Sequence, residues 1–211
     1  MAGILNINRK RIAVFASGNG SNLQAIIDYS RNHDINGDVV FVLSNNMDAY
    51  ALKRAENARI DTECIPYKRN SSRAEFDNKI SRSINNKNID IICLAGYMLL
   101  LSPDFINGYQ NKIINIHPSL LPSFKGMHGI RDAFDYGVKV TGVTVHFVDR
   151  ELDNGPIILQ EAVLINEGET FEKLEKNIHE VEHRLYPRAV QYFCRDELSI
   201  IERKVLITER S

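Results

Sequence analysis

Asn115 and His117 stand two residues apart in an otherwise apolar run, Ile113 to His117. In a strand that spacing sends both side chains out on one face. A carboxamide can donate to a developing oxyanion, and an imidazole can move a proton near neutral pH. The residues that follow, Pro118-Ser119-Leu120-Leu121-Pro122, hold the next loop stiffly, and the sequence leaves the isomer of the Leu121–Pro122 bond open. A histidine used in this way gains from an acid that orients it and stabilises its charged form. The candidates lie in the acidic stretch from Asp149 to Pro156, where Asp149, Glu151 and Asp153 all qualify.

A second constellation follows the first apolar run. Gly18-Asn19-Gly20-Ser21-Asn22 separates Arg11–Ser17 from the helically spaced Leu23, Ile26 and Ile27. Glycines let a backbone approach an anion, and free N–H groups at a helix start favour negative charge. As a dinucleotide fingerprint the turn fails twice: Leu23 stands where the third glycine belongs, and the second strand ends in Ser44-Asn45-Asn46 with no acid for a ribose diol. A monophosphate is the better ligand. The plain alternative is a tight turn with a helix cap.

A third pattern competes. His179-Glu180-Val181-Glu182-His183 is a literal H-E-x-x-H on an expected helix, the arrangement of a zinc peptidase. Its third ligand is the weak point, because Glu197 and Glu202 lie beyond Pro187 with no second motif to support them. Five residues of this kind arise readily by chance.

Strand and helix signals alternate around these residues. Strands are expected at Arg11–Ser17, Asp38–Leu43, Thr62–Pro66, Ile89–Ala95 and Lys112–His117. Helices are expected after Ser21, at Ala49–Ala58 and Ala74–Ile84, and near Pro103–Tyr109. That alternation points to a mostly parallel, Rossmann-like α/β sheet with helices on both faces. Val140–Val148 and Ile157–Ile165 alternate apolar and polar residues and read as antiparallel additions in the C-terminal half. A helix from Thr170 to about Tyr186 is expected to end at Pro187, and Leu198–Ile207 forms a hairpin or stays loosely attached. No repeat or linker divides residues 1–211, so one domain is expected.

Composition excludes several classes. The 26 Lys+Arg and 27 Asp+Glu leave a net charge of −1, against a broad grip on nucleic acid or acidic lipid. The longest uncharged apolar run, Ile91 to Leu101, is about half of a membrane span, and the polar leader with its short apolar stretch is no signal peptide. Cys64, Cys93 and Cys194 read as buried thiols in a reducing compartment. A cytoplasmic protein with small-molecule partners, no nucleic acid and no membrane is expected, as a monomer or homodimer.

With these features in hand, the chain resembles the phosphoribosylglycinamide formyltransferases. The resemblance rests on Phe15-Ala16-Ser17-Gly18-Asn19-Gly20-Ser21-Asn22-Leu23-Gln24-Ala25-Ile26, Leu94-Ala95-Gly96-Tyr97-Met98, Asn115-Ile116-His117-Pro118-Ser119-Leu120-Leu121-Pro122, Gly142-Val143-Thr144-Val145-His146-Phe147-Val148 and Leu152-Asp153-Asn154-Gly155-Pro156-Ile157-Ile158. It runs in order from about residue 11 to about 193. It implies transfer of the formyl group of 10-formyltetrahydrofolate, the co-substrate, to the glycyl amine of a phosphoribosylglycinamide in purine synthesis, with no metal. By position, Asn115, His117 and Asp153 match the family's catalytic trio: oxyanion donor, proton shuttle, and the acid that positions the histidine and favours its protonated form. Gly20, Ser21 and Asn22 match the phosphate grip, and Glu182 the carboxylate on the ribose. Met98, Leu99, Leu100, Leu101, Asn115, Asp149 and Asp153 match the folate site, with Arg73 at the folate's charged tail. Two positions depart: Leu99 stands where the family often has Arg, and Ile130 where a histidine is common. Formyltetrahydrofolate deformylase shares fold and trio but delivers the formyl group to water, usually with an added N-terminal domain. Methionyl-tRNA formyltransferase is disfavoured by the missing C-terminal extension and basic surplus.

Overall fold

The computed structural model describes residues 9–32, 34–67 and 72–208. The polar leader ahead of residue 9 and the last three residues of the expected single domain lie outside the described residues. In the first half, strands and helices alternate: β1 (Lys10–Phe15), α1 (Ser21–Arg31), β2 (Gly37–Ser44), α2 (Tyr50–Asn57), β3 (Asp61–Cys64), α3 (Arg73–Asn85), β4 (Ile91–Leu94), α4 (Pro103–Gly108) and β5 (Ile113–His117). β1 pairs in parallel with both β2 and β4, β2 with β3, and β4 with β5.

Strands this apolar demand cover on both sides. Along β1, Ile12 and Val14 enter the cluster formed with α1, α2 and a late helix, α6 (Phe171–Cys194). Ala13 and Phe15 enter the opposite cluster with α3 and α4. All four side chains are fully buried.

The second half turns antiparallel. β6 (Val140–Phe147) runs against β5, and β7 (Ile157–Leu164) against β6. The tail folds as a hairpin, β8 (Leu198–Ile201) and β9 (Lys204–Ile207), attached through Ile157 opposite Lys204. The strand order is β3-β2-β1-β4-β5-β6-β7-β9-β8. The two halves therefore meet the expected fold class, a mostly parallel sheet with helices on both faces and antiparallel strands added.

Three local expectations need correction. Pro187 does not end the last helix: α6 runs through it to Cys194. An internal proline costs about 3 kcal/mol. However, Leu174, Ile178, Leu185, Tyr186, Ala189, Val190 and Cys194 form a continuous buried stripe against the sheet. At roughly 1.5–3 kcal/mol for each large apolar side chain, that stripe outweighs the proline. A further helix, α5 (Gly129–Tyr136), lies where the sequence suggested no element. It buries Ile130 and Ala133 and closes at Gly137 in the left-handed region. Cys64, on the edge strand β3, is half-buried, whereas Cys93 and Cys194 are buried; all three are free thiols. The Leu121–Pro122 bond is cis.

Candidate active site

β1, β2 and β3 extend the sheet in one direction and β4 and β5 in the other, so the order reverses between β1 and β4. Open α/β sheets bind ligands at the carboxyl ends of strands beside such a reversal. Three expected site segments leave the sheet there: the Gly-rich turn after β1, the segment 95–101 after β4, and Asn115 and His117 on β5. Leu94 is the direct neighbour of Asn115 in the β4–β5 register.

His117 is buried, with an oxygen facing each ring nitrogen. Nε2 donates to the Phe124 carbonyl at 2.8 Å, and Nδ1 stands 3.5 Å from Asp153 Oδ2. Of the three acids the sequence left open, Asp153 is the one on the histidine. It arrives in the left-handed region at φ 47°, and its carboxylate also accepts from the Gly126 amide at 2.8 Å. The tight return that carries it depends on Gly155, where a Cβ would stand 1.8 Å from the Phe147 carbonyl oxygen. Asp149 instead accepts from the Glu151 amide and from Asn154.

Sequence reasoning did not single out His146. It lies opposite Asn115 in the β5–β6 register, and its Nε2 is 3.2 Å from Asn115 Nδ2 and 3.8 Å from Asp153 Oδ1. Its Nδ1 donates to the Phe147 carbonyl at 2.8 Å. Burial is the largest influence on this ring and lowers its pKa; Asp153 and Asp149 pull the other way. Two residues back along β6, Thr144 donates to Ser119 O and accepts from the Leu121 amide, and Gln160 binds both Thr144 and Leu121 O. These bonds hold the proline-flanked loop after His117.

In the Gly-rich turn, Gly20 adopts φ +75° and a Cβ there would meet the Ala51 Cβ at 2.7 Å. Ser21 opens α1, which has neither a side-chain cap nor an acid in its first turn, so its leading N–H groups are open to an anion. Arg54 braces the turn from α2, donating to the Asn19 carbonyl and side chain and to Gln24. Asn22 Nδ2 reaches across to Glu182 Oε2 on α6 at 3.1 Å, joining the expected phosphate and ribose residues. The same carboxylate oxygen accepts from His179 Nδ1 at 2.8 Å, and Glu182, through this hydrogen bond, raises the His179 pKa. Of the H-E-x-x-H pattern, His179 is thus engaged by Glu182 while His183 Nε2 is buried without a hydrogen-bond partner, and no group of three metal-ligating side chains occurs among the described residues.

Ser17 is a second residue that sequence reasoning missed. Its hydroxyl donates to Asn45 and accepts from the Met98 amide at 2.8 Å, and its amide donates to Gly96 O. It therefore ties the Gly-rich turn to the segment 95–101. In that segment Met98 and Leu100 are exposed while Leu99 and Leu101 turn toward the α3/α4 cluster. Arg73, the first residue of α3, stands 3.7 Å from Asp77 and over the rings of Tyr67 and Phe76; Asp77 in turn accepts from the Ser102 amide. Ile130 is a core residue of α5.

Residues 10–190 match the Formyl transferase family. The chain belongs to that family. A glycinamide ribonucleotide transformylase structure from Symbiobacterium toebii superposes with a TM-score of 0.91 at 44% identity, covering 95% of this chain and 94% of that one. The phosphoribosylglycinamide formyltransferase of Bacillus subtilis is 40% identical over 182 residues, 86% of this chain and 93% of that protein. The trifunctional purine biosynthetic protein adenosine-3 of Gallus gallus is 43% identical over 189 residues, which is 90% of this chain but 19% of that protein. Against this last relative the chain spans about a fifth of the length.

Proposed function

We propose that the protein transfers the formyl group of 10-formyltetrahydrofolate to the amine of N1-(5-phosphoribosyl)glycinamide, a step of purine synthesis. The observation that carries the reading is the convergence of Asn115, His117 and Asp153, beside the Gly-rich turn, in a formyl transferase. The glycyl nitrogen attacks the formyl carbon, and the carbonyl oxygen gathers charge in the tetrahedral intermediate. Asn115 Nδ2 donates to that oxyanion, a bond worth most where bound substrate excludes water. The bond from carbon to N10 then breaks. One proton leaves the glycyl nitrogen and one reaches N10, so the exchange balances, and His117 carries it. Asp153 holds the ring in position.

The amides at the start of α1, with Gly20, Ser21 and Asn22, grip the phosphate, and Glu182 holds the ribose. Met98, Leu99, Leu100 and Leu101 wall the pterin, with the loop from Asp149 to Asp153 opposite. The exposed Met98 and Leu100 give that wall its apolar lip. Leu99, packed inward, contributes backbone, so an arginine is not required there. Arg73 pairs with the folate's carboxylate tail. The chemistry needs no metal, because a hydrogen bond does the polarising. No helix among the described residues is long and apolar enough to cross a membrane, and we place the enzyme in the cytoplasm.

The test is folate release from a 10-formyl folate, followed by absorbance with and without the ribonucleotide. Release that requires the ribonucleotide is expected. Release without it makes water the acceptor and the protein a deformylase; no release in either case overturns the reading.

A further inference from the structure

Asn115 is useful only with its nitrogen, rather than its oxygen, toward the reacting carbonyl, and a carboxamide can rotate to present either. Its surroundings choose. His146 Nδ1 faces the Phe147 carbonyl at 2.8 Å, an atom that can only accept, so that nitrogen carries the proton. In the neutral ring Nε2 is then a bare lone pair, and it lies 3.2 Å from Asn115 Nδ2. One N–H of the carboxamide is engaged there. The amide is planar, so its second N–H points away from His146 and is available to a substrate oxygen.

We propose that His146 is a positioning residue for formyl transfer, its neutral ring locking the Asn115 carboxamide in the donor orientation. This rests on the transferase reading and adds to it the residue that sets the oxyanion donor. The cross-strand pairing makes the lock rigid, because Asn115 and His146 are direct partners on strands inside the sheet. The charged and titratable groups facing the ring are Asp153, with Oδ1 at 3.8 Å, Asp149 and His117. The Phe147 carbonyl and the two carboxylates favour its protonation; burial and His117 oppose it, and burial dominates. Protonation would place a donor on Nε2 against a donor on Asn115. The carboxamide would then rotate its oxygen to His146 and turn its N–H groups from the substrate. Turnover must therefore fall on the acid side as His146 gains its proton.

The first test uses the whole protein labelled with 15N-histidine. His146 should show the neutral Nδ1–H tautomer at pH 7 and keep it below the pH at which a free imidazole protonates. An imidazolium, or an Nε2–H tautomer, at pH 7 overturns the inference while leaving the transferase reading untouched. The second test is kinetic. His146→Gln places a carbonyl oxygen near the Nε2 position; it should keep kcat within roughly threefold and lose the acid limb that His146 imposes. His146→Phe fills the same volume with no acceptor; it should lower kcat by roughly tenfold to a hundredfold with both KM values within about twofold. Equal loss in the two variants, or undiminished kcat in His146→Phe, overturns the inference. Should His146→Phe not fold, the Gln variant's pH profile and the nitrogen spectra decide. Failure of ribonucleotide-dependent release in the unaltered protein would instead count against the transferase reading.

Discussion

A side chain that acts on the transition state leaves a particular kinetic trace when removed. Asn115→Ala should cut kcat by roughly a hundredfold or more, the scale of one lost oxyanion donor, while folate binding, measured by titration, stays close to unchanged. Turnover that survives the change would sink the role assigned to Asn115. This residue and His117 were legible in the sequence because their two-residue spacing is itself a statement about one strand face. From spacing and chemistry Asp153 was legible only as one of three acids, and the family resemblance alone singled it out, since the left-handed turn and the Gly155 contact that place it are tertiary facts. His146 was not singled out at all. Its tie to Asn115 spans 31 residues and exists only in the antiparallel register of β5 and β6, which no local pattern encodes. Ser17 was missed for the same reason: its partners are Asn45 and Met98, on two other connections.

Elements position these residues, and the turn from β1 into α1 is the most demanding of them. Gly20→Ala combines two penalties, a left-handed backbone and a Cβ 2.7 Å from Ala51 on α2. The backbone term alone is about 1–2 kcal/mol, so melting should fall by at least about 2 °C for a chain of this size. The shifted turn should also raise the ribonucleotide KM more than the folate KM. Equal effects on the two constants would argue against a phosphate site at this turn. Sequence pattern served well for β1, β4 and β5, whose apolar runs are buried on both faces. It failed for α6, because a local breaker rule took Pro187 as the end while the buried stripe on either side of it decided otherwise. It failed for α5 because the helix is short and its start, at His128, lacks a side-chain cap to announce it.

At the scale of the whole molecule, the buried titratable groups set a pH window for stability. His146 and His183 have pKa values lowered chiefly by burial, so the folded state binds fewer protons than the unfolded chain just below pH 6.5. Their contribution is full above that pH and is lost as pH falls toward their folded values. His179 has the opposite sign: its pKa is raised through Glu182, so its contribution is present below pH 6.5 and lost as pH rises through its folded value. It offsets part of the acid-side loss. On the alkaline side burial pushes the Cys93 thiol up and the Cys194 thiol up to about 12, and it raises Tyr186 as well. The unfolded chain therefore loses protons above pH 9 that the folded protein retains, and stability falls by roughly 1.4 kcal/mol per pH unit for each such thiol. Melting temperature should accordingly show a plateau between about pH 7 and 9 with a decline on each side. Replacing Cys93 by Ala should lower the plateau through lost packing but flatten the decline above pH 9, whereas His146→Gln should flatten only the acid side. A Cys93→Ala variant whose alkaline slope matches that of the unaltered protein would refute the assignment. The acid limits of stability and of turnover then share a common cause, the reluctance of His146 to take a proton inside the sheet that aims Asn115.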